Sequence, residues 1–243
     1  MEYKYEKLTD KIYVCASSDH RFGTDAFLLA DFSQYRAKDK VCDLGTGCGI
    51  IPMLLVRSGC GRHITGIDIQ ENACLQAKES VILSKAEDKV SIVHGDIKNI
   101  KNIFEHASFD TVIMNPPYKS DGDGIKSREK SAQIARHETM CNIDDVCKAA
   151  SYLLNFSGKL CLCGRPERLV DTITSMRAAG IEPKRLRFVS KFSNTKPWLF
   201  LIEGKKGGKP FMNVESVLAI YSSEGVFSDE MLSIYGEYKE NHR

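Results

Sequence analysis

With 243 residues, 42% hydrophobic and 27% charged, the chain has the size and make-up of one sizeable α/β domain with short attachments, and not of a disordered polymer. A formal net charge of +2 is too small to argue by itself for a polyanionic partner. No apolar run is long enough to cross a bilayer, and the opening "MEYKYEKLTDK" lacks the apolar core of a secretory signal, so a cytoplasmic protein with no membrane partner is expected.

Residues 1–39 differ in kind from the rest of the chain. "KIYVCASSDHRFGTDAFLLADF" reads as a short strand, a turn at Gly23 and a helix from about Thr24, a strand/helix flap lying before the core. From Lys40 onward, short apolar or β-branched runs alternate with helical patterns, the signature of a parallel sheet covered on both faces. Strands are expected at 40–44, 63–69, 89–93, 110–114 and 158–163. "GIIPMLLVRSG" reads as a buried helix with Pro52 in its first turn and a stop at Gly59. "ENACLQAKESVILSK" carries Cys74, Ala77 and Val81 at helical spacing, and "NIDDVCKAASYLL" opens on Asn142 as an N-cap. Two late runs, "RLRFVSKF" and "WLFLIEG", are joined only by "SNTKP", which is a hairpin length. The expected organisation is a flap at 1–39, a core at 40–204 and an extension at 205–243.

The first glycine-rich turn, "VCDLGTGCGI", puts Asp43 at a strand end and then Gly45, Gly47 and Gly49 before a helix. Glycines let backbone turn sharply and approach a nucleotide-like ligand. The spacing is GxGxG, not the GxGxxG of dinucleotide sites, and the P-loop Lys-Ser/Thr is missing. Asp68, closing "ITGIDI", is placed to accept two ribose hydroxyls, which fits nicotinamide and adenosyl cofactors alike. Asp96 in "VHGDI", with Ile97 beside it, follows the third strand, where a carboxylate can accept a hydrogen bond from an adenine amino group.

"DTVIMNPPYKSDGDG" ends the fourth strand in Asn115, Pro116, Pro117 and Tyr118. An exocyclic amine is a poor nucleophile because its lone pair is delocalised into the ring. If the Asn115 side-chain oxygen and the Pro116 carbonyl both accept its hydrogens, the nitrogen is drawn toward tetrahedral geometry and its developing positive charge is stabilised. The prolines hold those acceptors rigid, and Tyr118 can stack on the base.

Together "DLGTGCG", "GIDI", "GDI" and "NPPY" resemble the class I S-adenosylmethionine-dependent methyltransferases that act on amino groups. With "RFGTDAFLLADF" ahead of the glycine turn, the order resembles the bacterial tRNA(Val) adenine-N6 methyltransferases, over roughly residues 20–204. The resemblance implies a Rossmann-like α/β fold with a seven-stranded, mostly parallel sheet ending in an antiparallel hairpin, helices on both faces. It implies S-adenosylmethionine as cofactor and methyl transfer to N6 of an adenosine in tRNA, the one 3′ of the anticodon of tRNA(Val). On this reading Asn115, Pro116, Pro117 and Tyr118 are catalytic, and Asp43, Gly45, Gly47, Gly49, Asp68, Asp96 and Ile97 hold the cofactor. Thr24 and Asp25 either close over its methionine end or cap a helix.

Other readings are weighed by what the chain lacks. Glutamine methyltransferases of release factors share the tetrapeptide but carry an N-terminal helical domain, and only about 40 residues precede the first core strand. DNA adenine methyltransferases add a large target-recognition domain, for which the C-terminal residues are too few. A binding module without chemistry would be favoured by a damaged motif, and a carbon methyltransferase needs a nucleophilic Cys that the tetrapeptide does not hold. For RNA, residues 184–209 offer eight Lys/Arg against Glu203, interleaved with Phe188, Phe192 and Trp198. The same pattern also describes a half-buried strand with solvated charge. The loop 119–138, which holds His137, is a second candidate for ordering on substrate. Nine cysteines without CxxC pairs read as reduced core residues, no metal site is expected, and a monomer is favoured.

Overall fold

A computed structural model describes residues 4–17, 20–59, 63–116 and 142–238. In chain order come β1 (Lys4–Lys7), β2 (Tyr13–Ala16), α1 (Thr24–Phe32), β3 (Lys40–Leu44), α2 (Ile50–Arg57), β4 (His63–Asp68), α3 (Glu71–Leu83), β5 (Val90–His94) and β6 (Phe109–Met114). They are followed by α4 (Ile143–Leu153), β7 (Leu154–Gly164), α5 (Leu169–Ala178), β8 (Ile181–Ser190), β9 (Pro197–Lys206), β10 (Asn213–Val214), β11 (Leu218–Ala219), β12 (Tyr221–Ser223), β13 (Val226–Phe227) and α6 (Asp229–Tyr235).

The main sheet has nine strands, in the order β10-β8-β9-β7-β6-β3-β4-β5 with β11 also on the outer edge of β8. The seven expected strands are present, and β9 runs antiparallel to both neighbours, β7 and β8. The two short strands β10 and β11 add to the seven that the sequence predicts. Alternation sorts the side chains: Val41, Ile64, Ile113, Leu199 and Leu201 point into one core with α1 and α2, while Cys42, Leu44, Ile67, Val112, Phe200 and Ile202 point into the other with α4 and α5.

Local chemistry sets the element ends. Gly59 follows α2 with φ +72°, a left-handed stop that favours glycine. Asn142 caps α4 through a capping box, its side chain accepting from the Asp145 amide at 2.9 Å. The helix α5 has no clear sequence signature, because Val170, Thr172, Ile173 and Thr174 give it β-branched character. The β1–β2 hairpin is fastened to α3 by Ser80 and Ser84, whose hydroxyls accept the Cys15 and Tyr13 amides at 2.9 Å, and by Gln76, which donates to the Cys15 carbonyl.

Residues after β9 are built into the core. The Arg57 guanidinium donates to the Ile234 and Tyr235 carbonyls at 2.8 and 2.9 Å, satisfying C-terminal carbonyls of α6. The Tyr235 hydroxyl meets the Thr24 hydroxyl at 2.7 Å, and its ring packs edge-on against Phe27 with centroids 5.0 Å apart. The start of α1 is therefore braced by α6.

Candidate active site

The parallel register brings the carboxyl ends of β3, β4, β5 and β6 to one edge, with Leu44 beside Ile67 and Met114, and Asp68 beside His94. The chain runs outward from β3 through β4 to β5 and returns to β6 on the other side of β3, which opens a crevice at that edge. The glycine turn lies there. Gly45, Gly47 and Gly49 have φ of +67°, +54° and +80°, so each needs the conformational freedom of glycine. A Cβ at Gly47 would meet nothing within 4 Å, leaving the backbone open to a ligand, whereas one at Gly49 would press on Ala77 at 3.1 Å.

Asp43 is buried beneath this turn. Neither of its carboxylate oxygens, nor the Thr46 hydroxyl, has a well-formed hydrogen bond among the described residues. Burial pushes the Asp43 carboxyl up to about 7, the approaching Thr46 hydroxyl pulls it down, and the Asp68 charge adds to the rise. A buried polar group in this state asks for a partner, and a ligand bearing donors or positive charge in the crevice fits that demand.

Asp68 is engaged by the backbone. Its carboxylate accepts from the Gly47 amide and the Gln70 amide, both at 2.9 Å, so the acid at the end of β4 also fixes the shape of the glycine turn. Each oxygen keeps a lone pair for a hydroxyl. Asp96 caps the 3-10 turn Ile97–Asn102 by accepting from the Lys98 amide at 2.8 Å, with Ile97 buried behind it.

Asn115 leaves β6 half-buried. Its Nδ2 donates to Asp25 Oδ2 at 2.9 Å, and its Oδ1 lies 3.1 Å from the Cys163 thiol, which can donate to it. Neither Thr24 nor Asp25 caps α1: Gly23 is the N-cap and no side chain closes the turn. The structure thus brings together the glycine turn, Asp68 and Gly95 on one side, Asn115 and Asp25 on the other. Pro116 follows half-buried. Pro117, Tyr118, the loop 119–138 and His137 lie outside the described residues. Cys163 reads in the sequence only as a core hydrophobe, and nothing in "LCLCG" distinguishes it.

The basic stretch 184–209 divides in two. Lys184 donates to the carbonyls of Lys209, Pro210 and Phe211, Arg187 makes two bonds to Glu230, and Lys206 donates to the Ser151 and Leu154 carbonyls. Arg185 is held between Glu203 at 2.9 Å and Glu215 at 2.8 Å, with its guanidinium 4.4 Å above the Phe32 ring. Lys191 and Lys196 are exposed on the β8–β9 connection, which lies at the carboxyl end of β8, and Arg165 follows β7 at the same edge with its guanidinium 5.8 Å from the half-buried Trp198 ring.

Among the described residues no group of three His, Cys, Asp or Glu could hold a metal ion, and no helix is long and apolar enough to cross a membrane.

Comparison with known proteins gives a consistent picture. Two relatives named tRNA1(Val) (adenine(37)-N6)-methyltransferase are similar over most of their length. One from Parabacteroides distasonis is 26% identical over 201 residues, 83% of this chain and 82% of its own. One from Tolumonas auensis is 24% identical over 220 residues, 90% and 89% of the two chains. Among solved structures, a predicted O-methyltransferase from Agrobacterium tumefaciens superposes with a TM-score of 0.70 over 88% of this chain and 96% of its own, at 17% identity, which speaks for the class I methyltransferase fold alone. The model of the methyltransferase small domain matches residues 14–140, so the chain belongs to that family.

Proposed function

We propose that the protein transfers a methyl group from S-adenosylmethionine to N6 of an adenosine in tRNA, with the adenosine 3′ of the anticodon of tRNA(Val) as its substrate and the cytoplasm as its place of action. The observation that carries this reading is Asn115 at the exit of β6, with its amide nitrogen turned to Asp25 and its oxygen, 3.1 Å from the Cys163 thiol, keeping a second lone pair to accept with, next to a glycine turn that a ligand can approach. The names of the relatives support the substrate.

S-adenosylmethionine, the methyl donor that goes with this family, supplies an electrophilic methyl on a sulfonium and leaves as a neutral thioether. Its ribose diol suits the remaining lone pairs of Asp68, its adenine amino group suits Asp96 beside Ile97, and its cationic methionine end suits the buried Asp43 and the open backbone of Gly45 and Gly47. On the acceptor side the Asn115 oxygen and the Pro116 carbonyl take the two hydrogens of the amine. With the methyl donor bound, the amine nitrogen would gain positive charge as it takes the methyl group, charge that these two acceptors would stabilise, and the surplus proton would leave to water. Pro117 fixes the turn and Tyr118 stacks on the base. The exposed Lys191 and Lys196 flank the same edge and suit phosphates, beside Arg165, which donates to the Trp198 carbonyl at 3.1 Å.

Incubating the protein with labelled cofactor and three acceptors, unmodified tRNA(Val), a release factor and duplex DNA, tests the proposal. Label in the tRNA, at the adenosine after the anticodon on nuclease digestion, is expected. Label only in the release factor would replace the reading with glutamine methylation.

A further inference from the structure

Asn115 can perform its role in only one of two orientations. The side-chain amide is nearly symmetric in shape, and a half-turn about its last bond exchanges the acceptor oxygen for a two-hydrogen donor. A donor facing a reacting amine would repel its hydrogens. Something must therefore choose the orientation.

We propose that Asp25 is the positioning residue that fixes the Asn115 amide with its oxygen toward the substrate amine, an inference that rests on the amino-methyl transfer proposed above. An ionised carboxylate only accepts, so its 2.9 Å contact holds Nδ2 and rejects the flipped amide, which would set two electron-rich oxygens against each other. The Cys163 thiol, 3.1 Å from Oδ1, is a weak donor that can also accept, and cannot make the choice alone. Negative charge on Asp25 also polarises the amide and enriches Oδ1, the atom that meets the developing positive charge.

The surroundings keep this carboxylate in place. Asp25 sits in the first turn of α1, whose Ala26, Phe27, Leu28 and Leu29 are buried and whose first residue, Thr24, is tied to Tyr235. Gly23 has φ −120°, which any residue adopts, yet a Cβ there would come within 2.7 Å of Asp25 Oδ1. A side chain at position 23 would therefore make the Asp25 carboxylate shift, without straining the backbone.

The test combines kinetics with a readout on Asn115 itself. In Asp25→Asn the single-turnover rate on tRNA should fall about 10- to 100-fold, as for other residues that orient a reacting group. Cofactor and RNA dissociation constants should stay within about threefold and the melting temperature close to wild type, because a neutral isostere keeps the packing. Gly23→Ala, which displaces the carboxylate without removing its charge, should give a smaller loss of the same kind. The Asn115 side-chain amide resonances, assigned by their loss in Asn115→Ser, should shift in both variants. Unchanged Asn115 resonances would overturn the proposal, as would an Asp25→Asn protein that binds cofactor poorly but regains full rate at saturation, since Asp25 would then be a cofactor contact. A wild-type protein inactive on every RNA would sink the substrate reading, while the resonance shift would still decide for or against orientation by Asp25.

Discussion

At the glycine turn Asp43 is buried with neither carboxylate oxygen in a well-formed bond among the described residues, whereas on β8 the half-buried Arg185 bonds Glu203 and Glu215 and stacks on Phe32. Both set charge-bearing groups against the same sheet, and only one region answers the demand from within. An unanswered buried polar group points to something that arrives; an answered one is architecture. By that measure half of the eight Lys/Arg of the 184–209 stretch, namely Lys184, Arg185, Arg187 and Lys206, are structural, and acidic residues of the C-terminal extension help to neutralise them.

The sharpest break of this contrast is at Asn115. Asn115→Ala should cut the single-turnover rate by about 10² to 10³, roughly 2.7 to 4 kcal/mol, with little change in either binding constant. Equal rates in a folded variant would make the motif a mere turn. On the architectural side, Arg185→Ala should cost about 1 to 3 kcal/mol in urea unfolding, because Glu215 loses its partner while Glu203 keeps only Lys159 at 3.6 Å, with the rate per folded molecule intact.

A pH series sharpens the comparison further. The Asp43 carboxyl has a folded pKa of about 7 against an ordinary 3.8, so the folded state holds its proton more tightly than the unfolded chain does. Its contribution to stability is fully present below pH ~4 and is lost as pH rises toward about 7, with a slope of up to about 1.4 kcal/mol per unit. Asp43→Asn should flatten that decline in cofactor-free protein, measured by urea unfolding at successive pH values. The smallest effect belongs to the exposed lysines: Lys191→Ala with Lys196→Ala should weaken RNA binding several-fold and lower the salt slope by about 0.7 for each phosphate no longer neutralised, without changing stability.

The places of the glycine turn, of Asp68 closing β4, of Asp96 after β5 and of Asn115 at the exit of β6 were legible because each is a short pattern tied to one strand end, while Pro117 and Tyr118 lie outside the described residues. Seven strands followed from apolar runs and their spacing. The pairing of Asn115 with Asp25 joins positions 90 apart and depends on α1 being packed beside the sheet, which no local pattern encodes. The basic stretch misled in part for the same reason: Arg187 finds Glu230 43 residues later, and Arg185 finds Glu215 30 residues later. The α5 helix was hidden because tertiary burial of Thr172, Ser175 and Met176 outweighs its β-branched composition.

The cysteines have a practical use. All seven that are described are buried, and burial pushes the thiols of Cys48, Cys147 and Cys161 up to about 12. Alkylating reagents need a thiolate they can touch, so the folded protein should react only when it opens. With Cys60 and Cys141, which lie outside the described residues, replaced by serine, the labelling rate becomes a clock for opening. A bound ligand slows that clock in proportion to its occupancy, which turns the core itself into a reporter of cofactor affinity that needs no turnover and no RNA.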